Sequence, residues 1–171
     1  MASSKIRRPL SEIPSQMLST ISSITSLLQT LNPQHPNHPL NPNPSILNQF
    51  SPHPHFVTRV IQNQQNPYHA LFFFNWASNS NPNPNNYSHS HFSYIAITNL
   101  LISRNLFSLA TELLDSHNKL SDFMVGKLIK AHGDLGHIRW ALHLFDRVRG
   151  KYSGRCLFSY NAILGVLVRG D

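Results

Sequence analysis

Cysteine is almost missing from this 171-residue chain: Cys156 stands alone, so no intramolecular disulfide can staple the fold. Acid is scarce as well, with 7 Asp and Glu against 14 Lys and Arg and a formal net charge of +7. Long apolar runs are absent. The longest, around Ala70 to Ala77, is interrupted by Asn75 and falls well short of the ~20 residues that span a bilayer. No membrane partner is therefore expected. Catalytic signatures are missing too: there is no Walker loop, no Gly-x-Ser-x-Gly, no paired-Cys motif and no His-Glu-x-x-His. Cys156 has no identifiable activating neighbour. The scattered carboxylates Glu112, Asp115, Asp134 and Asp146 fit solvated helix surfaces or turns. His35, His38, His53 and His55 lie among prolines without a thiolate or carboxylate to complete a metal site. The chain is expected not to be an enzyme and to carry no cofactor and no metal.

What is present is periodicity. In Asp122 to Cys156, Val125, Leu128, Ile129 and His132 recur at i, i+3, i+4 and i+7, and so do Ile138, Ala141, Leu142 and Phe145. That spacing puts each set on one helix face. Gly133 and Gly136 are expected to break the first helix, with Gly136 supplying a left-handed residue for the reversal. The result is an antiparallel helical hairpin. Phe158, Tyr160, Ile163, Leu164 and Leu167 repeat Phe123, Val125, Leu128, Ile129 and His132 at an offset of 35 residues. Upstream, Phe92, Tyr94, Ile97, Asn105, Phe107, Ala110, Leu113 and Leu114 match Phe123, Val125, Leu128, Gly136, Ile138, Ala141, Leu144 and Phe145 at an offset of 31. Asn105 in place of Gly136 keeps a residue that tolerates the left-handed conformation. A hairpin recurring at this period predicts an all-α fold, an α-solenoid of antiparallel helical hairpins.

The period, the Phe-Ser-Tyr-Asn-Ala-Ile-Leu opening at Phe158 to Leu164, and the Gly136…Ala141…Leu144-Phe145 core resemble pentatricopeptide repeats. The segment Phe72 to Ala77 resembles the lead-in to the array in plant organellar members, so the chain resembles an N-terminal portion or truncated form of a P-class protein.

Residues 1–31 are basic, Ser-rich and acid-poor, the pattern of an organellar transit peptide. They are expected to be disordered apart from a weak amphipathic helix through Ile13, Met17, Ile21, Ile24, Leu27 and Leu28. The early arginine pair favours mitochondrion, with plastid as the alternative. Residues 32–55 hold seven prolines and read as an extended linker. Residues 56–90 read as a degenerate helix pair turned at Asn66-Pro67, in which Ala70 and Phe74 repeat the spacing of Ala141 and Phe145, followed by a polar loop. Residues 91–121 form a short repeat with helices over about 92–103 and 106–116. Residues 122–156 form a full repeat. Residues 157–171 form the first helix of an incomplete one, with no partner to cover Ile163, Leu164 and Leu167.

Repeats of the resembled kind read single-stranded RNA, about one base per hairpin. The resemblance places stacking on Phe92, Phe123 and Phe158, and base-edge contact on Ile95, Gly126 and Asn161, assisted by the last residues Ser121 and Cys156. Asn161 alone has an amide that donates and accepts; Ile95 and Gly126 are mute, so a slot between Phe123 and Phe158 would stack a base without identifying it. The basic excess suits a polyanion, because residues 122–171 carry eight Lys and Arg against Asp122, Asp134, Asp146 and Asp171. The implied partner is single-stranded organellar RNA in transcript processing, splicing or stability, alongside protein partners in RNA-processing complexes. The alternatives are a tetratricopeptide-like protein-binding scaffold, against which the period of 35 counts, and a truncated product without activity of its own.

Overall fold

The computed structural model describes residues 15–30, 54–79, 87–149 and 156–169. These form eight helices and no strand: α1 (Ser15–Gln29), α2 (Pro54–Gln62), α3 (Pro67–Asn79), α4 (His91–Ser103), α5 (Phe107–Ser116), α6 (Asp122–Asp134), α7 (Ile138–Arg149) and α8 (Leu157–Arg169). The all-α expectation holds. The chain divides into two compact units, Met1–Ser90 and His91–Asp171. The basic start at Lys5, Arg7 and Arg8, most of the proline linker, and Lys151 and Arg155 lie outside the described residues.

In the first unit α1 packs on α2 and α3 through Ile21, Ile24 and Leu28, which are buried. Residues 15–29 are thus helical and packed, the amphipathic helix expected through Met17, Ile21, Ile24, Leu27 and Leu28, while Ile13 lies outside the described residues. An apolar stripe at i, i+3 and i+7 needs only a second apolar face to fold against, and α2 offers one in Phe56, Val57, Val60 and Ile61. The linker also ends earlier than expected, since Pro54 and His55 already belong to α2. Proline is compatible with a first helical position, where its missing N–H would have had no partner. The turn into α3 falls at the expected Asn66-Pro67: the Asn66 Oδ1 accepts from the Tyr68 amide at 2.9 Å. Ala70 and Phe74 are both buried, as their spacing predicts. The imidazole of His89 lies flat on the Phe74 ring, centroids 3.6 Å apart.

The second unit is α4/α5, α6/α7 and α8, a stack of antiparallel hairpins. The three described reversals are Schellman turns, each closed by two backbone bonds. At the first, the Leu106 amide donates to Leu101 O and the Asn105 amide to Ile102 O, with Asn105 at φ 58°. Between α6 and α7, the His137 amide donates to His132 O and the Gly136 amide to Gly133 O, with Gly136 at φ 73°. Both left-handed residues are the ones the sequence pattern selects. A third, unanticipated, lies between α5 and α6 at Asn118, φ 53°, where the Lys119 amide reaches Leu114 O.

Two details of the hairpin differ from expectation. Helix α6 runs through Gly133 to Asp134, so Gly133 does not break it. A Cβ at Gly133 would fall 2.1 Å from Val166 Cγ2 on α8; the glycine is there to let α8 approach. On α7 the buried set is Ala141, Leu144 and Phe145, and Leu142 is exposed. Leu142 lies about 100° round the helix from Ala141 and so turns off the apolar face that Leu144 and Phe145 share.

Candidate nucleic-acid interface

The first helices of successive hairpins, α6 and α8, run parallel and are joined at both ends. At their N-terminal ends Asp122 reaches across to α8. Its carboxylate accepts from the Phe158 amide at 2.8 Å, the Ser159 amide at 3.0 Å, and the Ser159 hydroxyl. The first amides of any helix lack intrahelical partners. Helix α6 has its own cap, the Ser121 hydroxyl accepting from the Met124 amide. Helix α8 follows Cys156, a poor capping residue, and the aspartate of the preceding repeat does the capping instead. At the other end Arg169 pairs with Asp134 at 2.8 Å. Between the two ends, Gly126 and Gly133 bring the helices close: a Cβ at Gly126 would sit 2.9 Å from the carbonyl oxygen of Phe158. The second helices are tied by Asp115 on α5 and Arg147 on α7. Asp115 and Asp134 are therefore inter-repeat partners, where sequence alone read them as simply solvated.

Phe92, Phe123 and Phe158 occupy the same place in α4, α6 and α8, and all face solvent, at 55%, 36% and 55% exposure. The aromatic residues Tyr94, Phe107 and Phe145 of the same unit are buried. Phe123 and Phe158 meet edge to face, with centroids 5.5 Å apart and planes at 89°. The open slot expected between them is closed, because each ring occupies the other's flank. The Lys127 ammonium lies 5.5 Å from the Phe123 centroid and donates to Asn99 Oδ1 on α4 at 2.5 Å, bridging two hairpins. Partial burial draws its pKa below the usual lysine value.

The base-edge positions fare unequally. The Asn161 amide is exposed, Ile95 is half-buried, and Gly126 lies under the Phe158 backbone. Cys156 is buried. The Ser121 hydroxyl is engaged as the α6 cap. Of these groups only Asn161 presents a hydrogen-bonding side chain to solvent.

Sequence reasoning missed Asp122 and Gly133, since each acts on a partner more than thirty residues away and no local pattern marks it. It also missed Trp140, which is exposed on α7 beside His143. On α8, Ile163 is covered after all, by packing on α6, along with Val166; Leu164 and Leu167 remain exposed. Among the described residues no group of three or more His, Cys, Asp or Glu could hold a metal ion, and no helix is long and apolar enough to cross a membrane.

Beneath this face His132 is buried against Phe107, ring centroids 4.4 Å apart, and its Nδ1 has no hydrogen-bond partner. Burial, and secondarily the charge of His137, lowers its pKa. The folded state thus favours the neutral ring. That contribution is present above the unfolded pKa of about 6.5 and is lost as pH falls through the lower folded value. Tm is expected to drop between pH 7.5 and 5 by more in the native chain than in His132→Phe. Equal drops in the two would remove His132 as the source.

The chain is similar to a pentatricopeptide repeat protein. It is 30% identical over 136 residues, 74% of its length, to a mitochondrial pentatricopeptide repeat-containing protein of Arabidopsis thaliana. The match spans 20% of that relative's length, so the chain corresponds to about a fifth of it. No family model matches the chain, and no solved structure matches it at a significant level.

Proposed function

We propose that the second unit binds single-stranded RNA along the face formed by its first helices, in organellar transcript processing, splicing or stability. The observation that carries this is the row Phe92, Phe123 and Phe158: one aromatic per hairpin, at one place, left in water. Packing the hairpins together would bury these rings; stacking on bases needs them exposed. The similarity to a pentatricopeptide protein supports the same reading. Lys127 and Lys130, four and seven residues after Phe123 on α6 and outside the two ion pairs, share its helix face and supply a phosphate term. The basic, acid-poor start and the relative's mitochondrial designation support import into mitochondria, with plastids as the alternative. A reporter fused to residues 1–31 that stays cytosolic removes that part.

In a gel-shift titration, affinity for single-stranded RNA is expected to fall steeply with salt. For about two phosphate contacts the slope of log K against log salt is about −1.4. No binding at low salt, together with capture of a defined protein partner, would move the assignment to a protein-binding scaffold.

A further inference from the structure

Helix α1 falls inside the stretch whose composition is that of a targeting segment, yet it is packed into the first unit. Ile21, Ile24 and Leu28 are buried, Leu28 completely, and Thr20 is buried beside them. The helix meets both α2 and α3. Helix α2 needs that cover. Its Phe56, Val57, Thr58, Val60 and Ile61 are all buried, and at about 100° per residue they sweep about 200° of its circumference, wider than the stripe one packed helix covers. Removing α1 would leave α2 and α3, of 9 and 13 residues. Helices that short are marginal without tertiary contacts. No disulfide can hold them, because the sole cysteine, Cys156, belongs to the second unit.

The charge lies elsewhere. Lys5, Arg7 and Arg8 precede α1, no Lys or Arg follows until Arg59, and α1 itself carries no charged side chain. The basic signal and the packed stripe thus occupy separate segments, and one can be removed without the other. We propose that α1 is a permanent part of the mature protein, and that processing on import cuts the chain before Ser15, within Met1 to Pro14, and not near Leu31. This rests on the import reading above. The removable segment is then the basic one alone, and the stripe of Ile21, Ile24 and Leu28 is kept because α2 and α3 are built around it.

The test has two arms. In a Trp140→Phe background Trp76 is the sole tryptophan and reports on the first unit. Its fluorescence is followed in urea for the full chain, for chains starting at Ser15 and at Asn32, and for Leu28→Asp and Leu18→Asp in the full chain. The chain from Ser15 and Leu18→Asp, at an exposed position of the same helix, are expected to keep the native midpoint. The chain from Asn32 and Leu28→Asp are expected to lose the cooperative transition. A native transition in the chain from Asn32 overturns the structural role of α1, and a lost one in the chain from Ser15 overturns the position of the cut. In the second arm the full chain is incubated with isolated mitochondria, and the first residue of the protease-protected product is read by mass spectrometry. A product beginning at or before Ser15 is expected; one beginning within α1 or after it overturns the proposal. A chain left open to external protease overturns the import reading and the cut with it, while the urea arm still decides whether α1 belongs to the fold.

Discussion

Phe145→Ala is expected to lower the unfolding free energy of the second unit by ~3–5 kcal/mol, measured by urea denaturation followed by helical circular dichroism. Phe145 is buried on α7, and its ring meets Tyr160 of α8 edge to face, centroids 4.8 Å apart. Truncation removes apolar contact inside the α6/α7 hairpin and, at the same time, the contact that holds the next first helix. A stack of repeats has no single central core, so each inter-hairpin contact carries a large share of its stability. The neighbour Leu142, on the same helix but exposed, is the comparison. Leu142→Ala should change stability by no more than about 0.5 kcal/mol. Comparable losses at the two positions would refute the assignment of the buried face.

The second large effect concerns three glycines of α6 and α8 and has opposite signs. Glycine to alanine inside a helix ordinarily stabilises by up to about 1 kcal/mol, because the glycine backbone has more freedom to lose. Gly165 on α8 has open space around the position of a Cβ, so Gly165→Ala should follow that rule. Gly126→Ala should reverse it, with a loss of ~1–3 kcal/mol. The obstacle there is the Phe158 carbonyl, main chain that cannot swing aside, and α8 would have to move off its Asp122 cap to make room. Gly133 is an intermediate case, since what a Cβ would meet is the Val166 side chain. Gly133→Ala should destabilise, and Val166→Ala should relieve part of that loss. Thermal melts of the four variants settle it; a stabilised Gly126→Ala would mean α6 and α8 are not in close contact.

Much of this architecture was legible from residue order alone, because the information was local. Helix faces follow from apolar residues at i, i+3, i+4 and i+7, and the backbone cannot place those residues anywhere else. Asn105 and Gly136 marked their turns because few residue types accept a left-handed φ, and both do so at 58° and 73°. Offsets of 31 and 35 residues marked the recurrence. Asn118 escaped because nothing around it distinguishes a turn asparagine from an ordinary polar one. The stripe of residues 15–29 was legible too, but what it packs on was not: that depends on the face offered to it, and here α2 and α3 lie outside its own sequence.

The candidate site divides along the same line. Residue order alone was enough to align Phe92, Phe123 and Phe158, since they follow from the repeat offset. Whether those rings would be core or surface was a matter of packing between hairpins, and only the folded arrangement leaves them in solvent. The same arrangement closes the space between Phe123 and Phe158, seals Gly126, buries Cys156, and turns Asp122 from a helix-start acid into the cap of the next repeat. The physical reason is range. A helix face or a left-handed turn is decided within a few residues by sterics and hydrogen bonding. The distance between α6 and α8 is decided by glycines and charges some thirty-five residues apart, and their meeting exists only once the hairpins have stacked.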